Sequence, residues 1–352
     1  MTDKKMEQPL GTHPNTLFSN TTETSTASSK DRLKDFDAKK QGAWLEFSKT
    51  VIYELGQRAS SFPKVPPEVH KDIHCPPDML SSQVGCTYAW LADKRREIAK
   101  ALKHGPLRHQ FGLINKAGFM STDDFNLSKD LPTQKNLIYA HLSDLIHQNR
   151  KNVEVKGYPD KSGEGTKYTI TIKMTDEERE LAHKKNAASE FPFIEDDVVL
   201  TITFNDYGKD DSRTSIVVDH RFTPFAEDYR DKSSYFQVQF ELLDPYFQAC
   251  FNWDPDPTQD INDFLVNAGK LAYSLARLQP VGRGNSAIVE WMIRGLAEAK
   301  NIELGPFNPN ELGWDFKAFL TPDINVYAQW FAEKAFSRYA LKENENLAFK
   351  SS

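Results

Sequence analysis

A short break between two amphipathic stretches carries the residue types best suited to binding an anion: Gly282, Arg283, Gly284, Asn285 and Ser286. Glycines permit backbone conformations that turn consecutive N–H groups toward one point, and a following helix adds the positive end of its dipole. Arg283 could add a bidentate contact to phosphate, and Asn285 or Ser286 could cap the helix. The pattern predicts an anion cradle. An ordinary helix–loop–helix corner, in which Gly ends one helix and Asn or Ser begins the next, fits the same residues.

Proton acceptors that could serve such a site lie in other segments. Asp219 and His220 close a predicted strand in VVDHRF, where a loop could carry a functional site. A solvated-turn role for His220 is the open alternative. Further candidate bases are Glu227, Asp228 and His109.

Zinc donors are grouped in VHKDIHC, which contains His70, His74 and Cys75. The sequence HCPP breaks any helix that would align the two histidines, and a structural zinc site needs about four protein ligands, a catalytic one about three. We therefore expect no metal site.

Apolar residues at helical spacing predict the elements on either side of the Gly-rich break. The predicted helices cover residues 40–55, 87–103, 133–149, 261–278 and 286–300. An acidic, Pro-rich start, WDPDPTQD, suits the N-terminus of the fourth. On these helices we expect His141 to be a hydrogen-bonded core residue, and Lys94, Arg95 and Arg96 to form a solvated face.

The middle of the chain shows the two-residue alternation of strands. Strands are predicted from Val153, Tyr168, Val198 and Thr214, with a further one from Tyr235 in YFQVQFELL. A charged, helix-like stretch at 175–185 interrupts them, and residues 159–165 form a predicted hairpin or loop. The predicted fold class is α+β: mainly helical, with an antiparallel sheet inserted between two sets of helices rather than a doubly wound arrangement.

The same patterns divide the chain into regions. Residues 1–40 are predicted to be a disordered tail, because a Ser/Thr-dense segment has little apolar surface to bury. A helical region follows at 41–150, an antiparallel β lobe at 151–245, and a helical core at 246–345. A single two-lobed domain over 41–345 is the alternative that the sequence leaves open.

Composition narrows the classes of function. The 352 residues carry a formal net charge of −6, which gives no global reason to expect nucleic acid or an anionic membrane as partner. No apolar run approaches the ~18 residues of a membrane span, and the N-terminus lacks the apolar core of a secretory signal. Three widely spaced cysteines favour reduced thiols. We expect a cytoplasmic protein, or one secreted into a host cell without a Sec signal.

The run QPVGRGNSAIVE, with AGKLAYSLARL before it and IVEWMIRGLAEAKNI after it, resembles the Fic signature H-x-F-x-[D/E]-G-N-G-R-x-x-R with its flanking helices. The resemblance covers residues 260–340. Gly284 and Asn285 match outright, and Ser286 stands where the signature has its second glycine. The resemblance implies a Fido-like helical core whose loop receives the diphosphate of a nucleotide, with transfer of the nucleotidyl group to a target hydroxyl. The Fido fold also includes diverged effectors of the AvrB type, which lack the catalytic histidine and resemble sugar transferases.

This sequence departs from the signature at the positions whose residues carry out the family's chemistry. Gln279 stands at the catalytic histidine, and a carboxamide has no basic state near neutrality, so standard AMP transfer is not expected. Arg283 stands at the magnesium-holding acid, which implies a metal-free diphosphate site. Val281, Ala287 and Glu290 replace the signature's phenylalanine and its two arginines. Glu290 could repel a phosphate or pair with Arg283, and the sequence leaves both open.

Two functional hypotheses follow. In the first, the chain is a diverged Fido-like transferase of glycosyl or nucleotidyl groups that modifies a host or cellular protein, as a bacterial effector would. The loop from Gly282 to Ser286 would bind a nucleotide or nucleotide-sugar donor without a metal, and the catalytic candidates are Gln279, Asp219 and His220. In the second, the chain is a catalytically inactive interaction module that keeps the helical scaffold and binds a protein partner through the sheet lobe.

Overall fold

The computed structural model describes residues 38–58, 82–103, 111–114, 120–176, 178–180, 198–221, 232–254 and 260–342. Most of the predicted tail (1–40) lies outside these ranges, and so do the zinc candidates His70, His74 and Cys75 and the candidate bases His109, Glu227 and Asp228. The predicted helix at 175–185 is described at residues 176 and 178–180, which are helical.

The five helices predicted from apolar periodicity are all present, with ends that differ by up to four residues. The helices are α1 (Ala38–Arg58), α2 (Gln83–Ala101), α3 (Leu127–Asp130), α4 (Lys135–His147), α5 (Lys232–Asn252), α6 (Ile261–Leu278), α7 (Asn285–Ala299), α8 (Trp314–Leu320) and α9 (Ile324–Lys334). Asp260 caps α6 by accepting a hydrogen bond from the Asn262 N–H at 3.0 Å, as the acidic start predicted. None of the helices in the described ranges is both long and apolar enough to cross a membrane.

The strands form an antiparallel sheet, which confirms a mixed α and β fold. They are β1 (Met120–Asn126), β2 (Val153–Pro159), β3 (Thr166–Lys173), β4 (Val198–Asp206) and β5 (Ser215–Arg221), in the spatial order β1-β5-β4-β3-β2. A short antiparallel pair, β6 (Ile302–Leu304) and β7 (Tyr339–Leu341), lies near the C-terminal helices. The sequence did not predict β1, because MSTDDFN is too polar to show a strand pattern.

One face of the sheet is buried and packs against α4. Its buried residues alternate along three strands: Ile170, Ile172, Leu200, Ile202, Phe204, Ile216 and Val218. The ring of Tyr139 on α4 meets the ring of Phe204 edge-on, with centroids 5.6 Å apart. These residues belong to the same apolar cluster as the buried faces of α6 and α7. The sheet and the helices therefore share one core.

The prediction of a strand from Tyr235 was wrong, because these residues lie in α5. The buried residues Phe240, Leu243, Phe247 and Cys250 follow one another at helical spacing. The alternation in YFQVQFELL covers too few residues to outweigh this longer period.

Candidate functional site

The Gly-rich break forms a tight corner between α6 and α7. Gln279 ends α6 in the left-handed conformation, with φ 39° and ψ 61°, and its N–H donates to the carbonyl of Leu275 at 3.2 Å. Gly284 precedes α7 with φ 86°, a conformation that glycine adopts at little cost. The structure thus brings Gln279 and the residues Gly282 to Ser286 into one corner, as predicted.

The backbone of the corner pairs with residues 111–114. Val281 forms an antiparallel bridge with Ile114, and the Gly282 N–H donates to the Leu113 carbonyl at 3.2 Å. The Gly112 N–H in turn donates to the carbonyl of Arg283 at 3.0 Å. An amide already bonded to a carbonyl does not turn toward an anion. The predicted convergence of loop N–H groups is therefore wrong at Gly282.

Asn285 links three helices instead of facing a ligand. The residue is 7% exposed. Its Oδ1 accepts a hydrogen bond from the Tyr88 hydroxyl at 2.6 Å, and its Nδ2 donates to the Leu275 carbonyl at 2.9 Å. Gly284 occupies the N-cap position of α7 and has no side chain that could cap the helix. The Asn285 side chain does not cap α7, and its amide is hydrogen-bonded inside the protein.

The side chain of Arg95 packs against the corner at Gly284. It is 1% exposed, and its guanidinium lies 4.1 Å from the ring centroid of Phe111 and 4.6 Å from that of Trp44. Burial lowers the pKa of Arg95 to about 9. A Cβ at Gly284 would stand 2.8 Å from the Arg95 Nε. The solvated face predicted for Lys94–Arg96 is thus wrong for Arg95, because aromatic rings replace water around its charge.

A carboxylate already lies at the start of α7. The Ser286 hydroxyl donates to Asp315 Oδ2 at 2.8 Å, and the other oxygen accepts a hydrogen bond from the Phe316 N–H at 2.9 Å. Asp315 is 7% exposed. A negative charge beside the first turn of a helix complements its dipole. The protein therefore supplies from α8 an anion of its own close to where the resemblance expects phosphate.

Glu290, one turn further along α7, pairs with Arg294 and not with Arg283. Arg294 Nε donates to Glu290 Oε1 at 2.8 Å, and both residues are buried. The guanidinium also donates to the carbonyls of Leu304 at 2.8 Å and Gly305 at 3.1 Å. Of the two roles that the sequence left open, pairing with Arg283 is not formed, because Glu290 pairs with Arg294 within the helical core.

Burial raises the pKa of Glu290 to about 7, although the adjacent Arg294 guanidinium opposes the shift; the nearby Asp315 carboxylate adds to it. The rings of Phe307, Phe336 and Trp314 close around this ion pair, and the crevice between them is too narrow for a water molecule. The ion pair therefore belongs to the packed interior and offers no binding cavity.

Arg283 and Gln279 form the outer edge of the corner. Both side chains are partly buried, and Gly282 between them is exposed. This edge is the part of the corner that a solute could reach. Among the predicted residues of the corner, Gly282 is thus exposed, and the long side chains of Arg283 and Gln279 beside it are partly buried.

The candidate bases Asp219 and His220 lie in β5, where their register neighbours are strand residues. Asp219 faces Thr201 of β4 and Thr122 of β1, and His220 faces Ser121. The side chain of His220 lies outside the described part of the structure. The structure places both residues in the sheet and not in the corner.

The outer face of the sheet carries a second set of polar residues, which the sequence reasoning missed. Thr169 and Thr171 of β3 stand directly opposite Thr203 and Thr201 of β4. We call these four residues the threonine array. Their hydroxyls make no hydrogen bond to another residue in the ranges that the structure describes. The signal was present in TKYTITIK and VLTITF, where threonine alternates with buried apolar residues.

Charged residues of opposite sign flank the threonine array. On the β2 side, Lys156 and Lys173 contact Glu154 at 2.7 and 3.7 Å. On the β1 side, Asp124 and Asp219 occupy the outward positions of the last two strands. The face is therefore net positive at one end and negative at the other.

The described residues contain no group of three or more His, Cys, Asp and Glu side chains placed to hold a metal ion. The sequence matches no protein-family model and no curated protein. The geometry of the corner and of the sheet face is thus the basis for a functional conclusion.

Proposed function

We propose that this chain is a protein-interaction module, built on a helical scaffold that resembles the Fido core and lacking its transferase chemistry. The observation that carries the proposal is the engagement of the corner's polar groups within the protein. The signature asparagine, Asn285, bonds to Tyr88 and Leu275, and the Gly282 N–H bonds to Leu113. These groups stabilise the corner and are not available to a diphosphate.

Electrostatics support the same conclusion. The Asp315 carboxylate contacts Ser286 in the first turn of α7, and a phosphate placed there would meet a like charge. Glu290 stands where the signature has an arginine, and its partner is Arg294. The charges of this region are thus arranged to complete the core.

The threonine array supplies the binding surface. Its hydroxyls are directed away from the buried face, and β-branched side chains on a pleated sheet form an even surface of methyl and hydroxyl groups. The partner that fits is a protein surface with acidic groups opposite Lys156 and Lys173, and basic groups opposite Asp124. Such a surface would bind chiefly through direct and water-mediated hydrogen bonds.

Calorimetric titration tests the absence of nucleotide binding. The full chain is titrated with ATP and with UDP-glucose, each with and without Mg²⁺, and Arg283→Ala is the control. We expect no binding heat for either ligand. A heat that Arg283→Ala abolishes would overturn the proposal, because it would show that the corner binds a diphosphate.

Cross-linking in cells tests the sheet face. The double variant Thr171→Arg/Thr201→Arg places two large cations on the threonine array, and Thr50→Arg makes the same change at an exposed position of α1. We expect the wild type and Thr50→Arg to cross-link to the same cellular protein. The double variant should lose this cross-link. Equal cross-linking by all three chains would contradict the role of this face.

The transferase hypothesis is the second candidate, and Arg283 favours it. This arginine is partly buried beside exposed Gly282 at the start of a helix, which is a setting where a guanidinium can contact phosphate. The same titration separates the two functions, since only a transferase requires a donor to bind at the corner.

A further inference from the structure

A lysine and a histidine meet at a position remote from the corner in sequence. Lys317 of α8 and His141 of α4 place Nζ and Nε2 2.7 Å apart, and both side chains are partly buried. An ammonium group can only donate, so the imidazole Nε2 is the acceptor and its Nδ1 carries the hydrogen. The pair is therefore set for proton transfer from the lysine to the histidine.

The surroundings of Lys317 differ from those of Lys94, which also lies beside a tryptophan ring. Its ammonium lies 5.4 Å from the ring centroid of Trp330, and within the described ranges no carboxylate lies at ion-pair distance from it. Lys94 offers the comparison: it lies 5.7 Å from the Trp90 ring and contacts Glu97 at 3.3 Å and Glu54 at 3.9 Å. A carboxylate in direct contact favours the charged, unreactive form of a lysine. Lys317 has none at ion-pair distance in the described ranges, although Glu311 and Asp144 lie near enough to raise its pKa.

Burial lowers the pKa of Lys317 below its usual value, and burial followed by the charge of Lys317 lowers the pKa of His141. Both groups therefore spend more time in the neutral form than their exposed counterparts. Charged groups near enough to act on Lys317 or His141 are Glu311, Asp144, Lys334 and Arg150, two of each sign.

We propose that Lys317 and His141 form a modification site, in which Lys317 takes an acyl group from small acyl thioesters and His141 accepts the proton. The amine nitrogen attacks the thioester carbonyl, and the new C–N bond forms as the carbonyl electrons move to oxygen. His141 Nε2 takes a proton from the attacking nitrogen. The C–S bond then breaks, the thiolate leaves and receives a proton from the imidazolium, and an amide remains on Lys317.

The rate of acetylation at each lysine tests the proposal. The full-length protein is incubated with S-acetyl-N-acetylcysteamine near neutral pH, and acetylation at each lysine is followed by mass spectrometry. We expect Lys317 to react about tenfold faster than Lys94. A rate at Lys317 equal to or below that at Lys94 would overturn the proposal.

Histidine variants separate the role of His141 from simple exposure of the lysine. His141→Asn should lower the rate at Lys317 about tenfold and leave Lys94 unchanged. The matched control is His147→Asn, which removes an exposed histidine of the same helix. An unchanged Lys317 rate in His141→Asn contradicts the proposal. A changed rate at Lys94 would show that His141→Asn does not fold. In that case His141→Gln takes its place, together with the comparison of Lys317 and Lys94 in the wild type.

Discussion

The corner between α6 and α7 and the outer face of the sheet are both polar, but they use their polar atoms in opposite ways. In the corner, the amide of Asn285 and the N–H of Gly282 are bonded within the protein. On the sheet, the threonine array directs its hydroxyls away from the buried face. The difference shows that a motif rich in binding residue types can serve packing, while a plain strand pattern can supply the surface for recognition.

The reason lies in what each region packs against. The corner is packed against Arg95, residues 111–114 and α8, so its buried polar atoms need protein partners. The outer face of an antiparallel sheet can remain solvated, and the hydroxyls of the threonine array make no hydrogen bond to another residue in the described ranges. Changes in the corner should therefore alter stability, whereas changes on the face should alter binding.

The largest effect is expected from Gly284→Ala. The new Cβ would stand 2.8 Å from Arg95 Nε at a φ of 86°, so both overpacking and backbone strain oppose it. We expect the free energy of unfolding to fall by about 4 kcal/mol, measured by urea denaturation. Gly163→Ala is the control, since its φ is 73° but nothing lies within 4 Å; it should cost about 1 kcal/mol. Equal losses would show that the corner is not tightly packed.

Glu290→Gln should change how stability depends on pH. Because the pKa of Glu290 is raised from 4.5 to about 7 in the folded protein, the folded state holds a proton that the unfolded state has released between these values. Its contribution to stability therefore falls as pH rises from about 4.5 to about 7, by on the order of 3 kcal/mol. The variant should lack this fall. Parallel pH profiles for the variant and the wild type would contradict the burial of this carboxyl.

Asn285→Ala should cost about 2 kcal/mol in unfolding free energy, since it removes the buried hydrogen bonds that Asn285 makes to the Tyr88 hydroxyl and the Leu275 carbonyl. Tyr88→Phe, which removes one of the two bonds, should cost less. The double variant should lose less than the sum of the two single losses. Full additivity in thermal or urea unfolding would show that the two side chains do not interact.

The smallest effect is expected from Thr201→Val, which keeps the branched shape and removes a hydroxyl without a described protein partner. Its unfolding free energy should stay within about 0.5 kcal/mol of the wild type. A loss as large as that of Asn285→Ala would show that the threonine array is structural and would remove the contrast between the two regions.

The periodicity of the sequence predicted most of the helices and strands around the corner between α6 and α7. It predicted the observed bounds of α6 and the start of β2 at Val153. A repeat of 3.6 residues for a helix, or of two residues for a strand, can be recognised within a short stretch of sequence. The periodicity was wrong at Tyr235, where a short alternation lies inside a helix, and it did not find β1, whose polar residues pair with β5. Strand pairing depends on a partner that the local pattern does not show.

The sequence by itself determined that Gln279, Arg283 and Asn285 share one corner, since they are neighbours along the chain. Only the tertiary structure decided what that corner does. The partner of Asn285 lies 197 positions away at Tyr88, and the contact of Lys317 with His141 spans 176 positions. Whether a polar atom faces a ligand or another part of the protein depends on which distant segments pack beside it, and that follows from the burial of the whole apolar core.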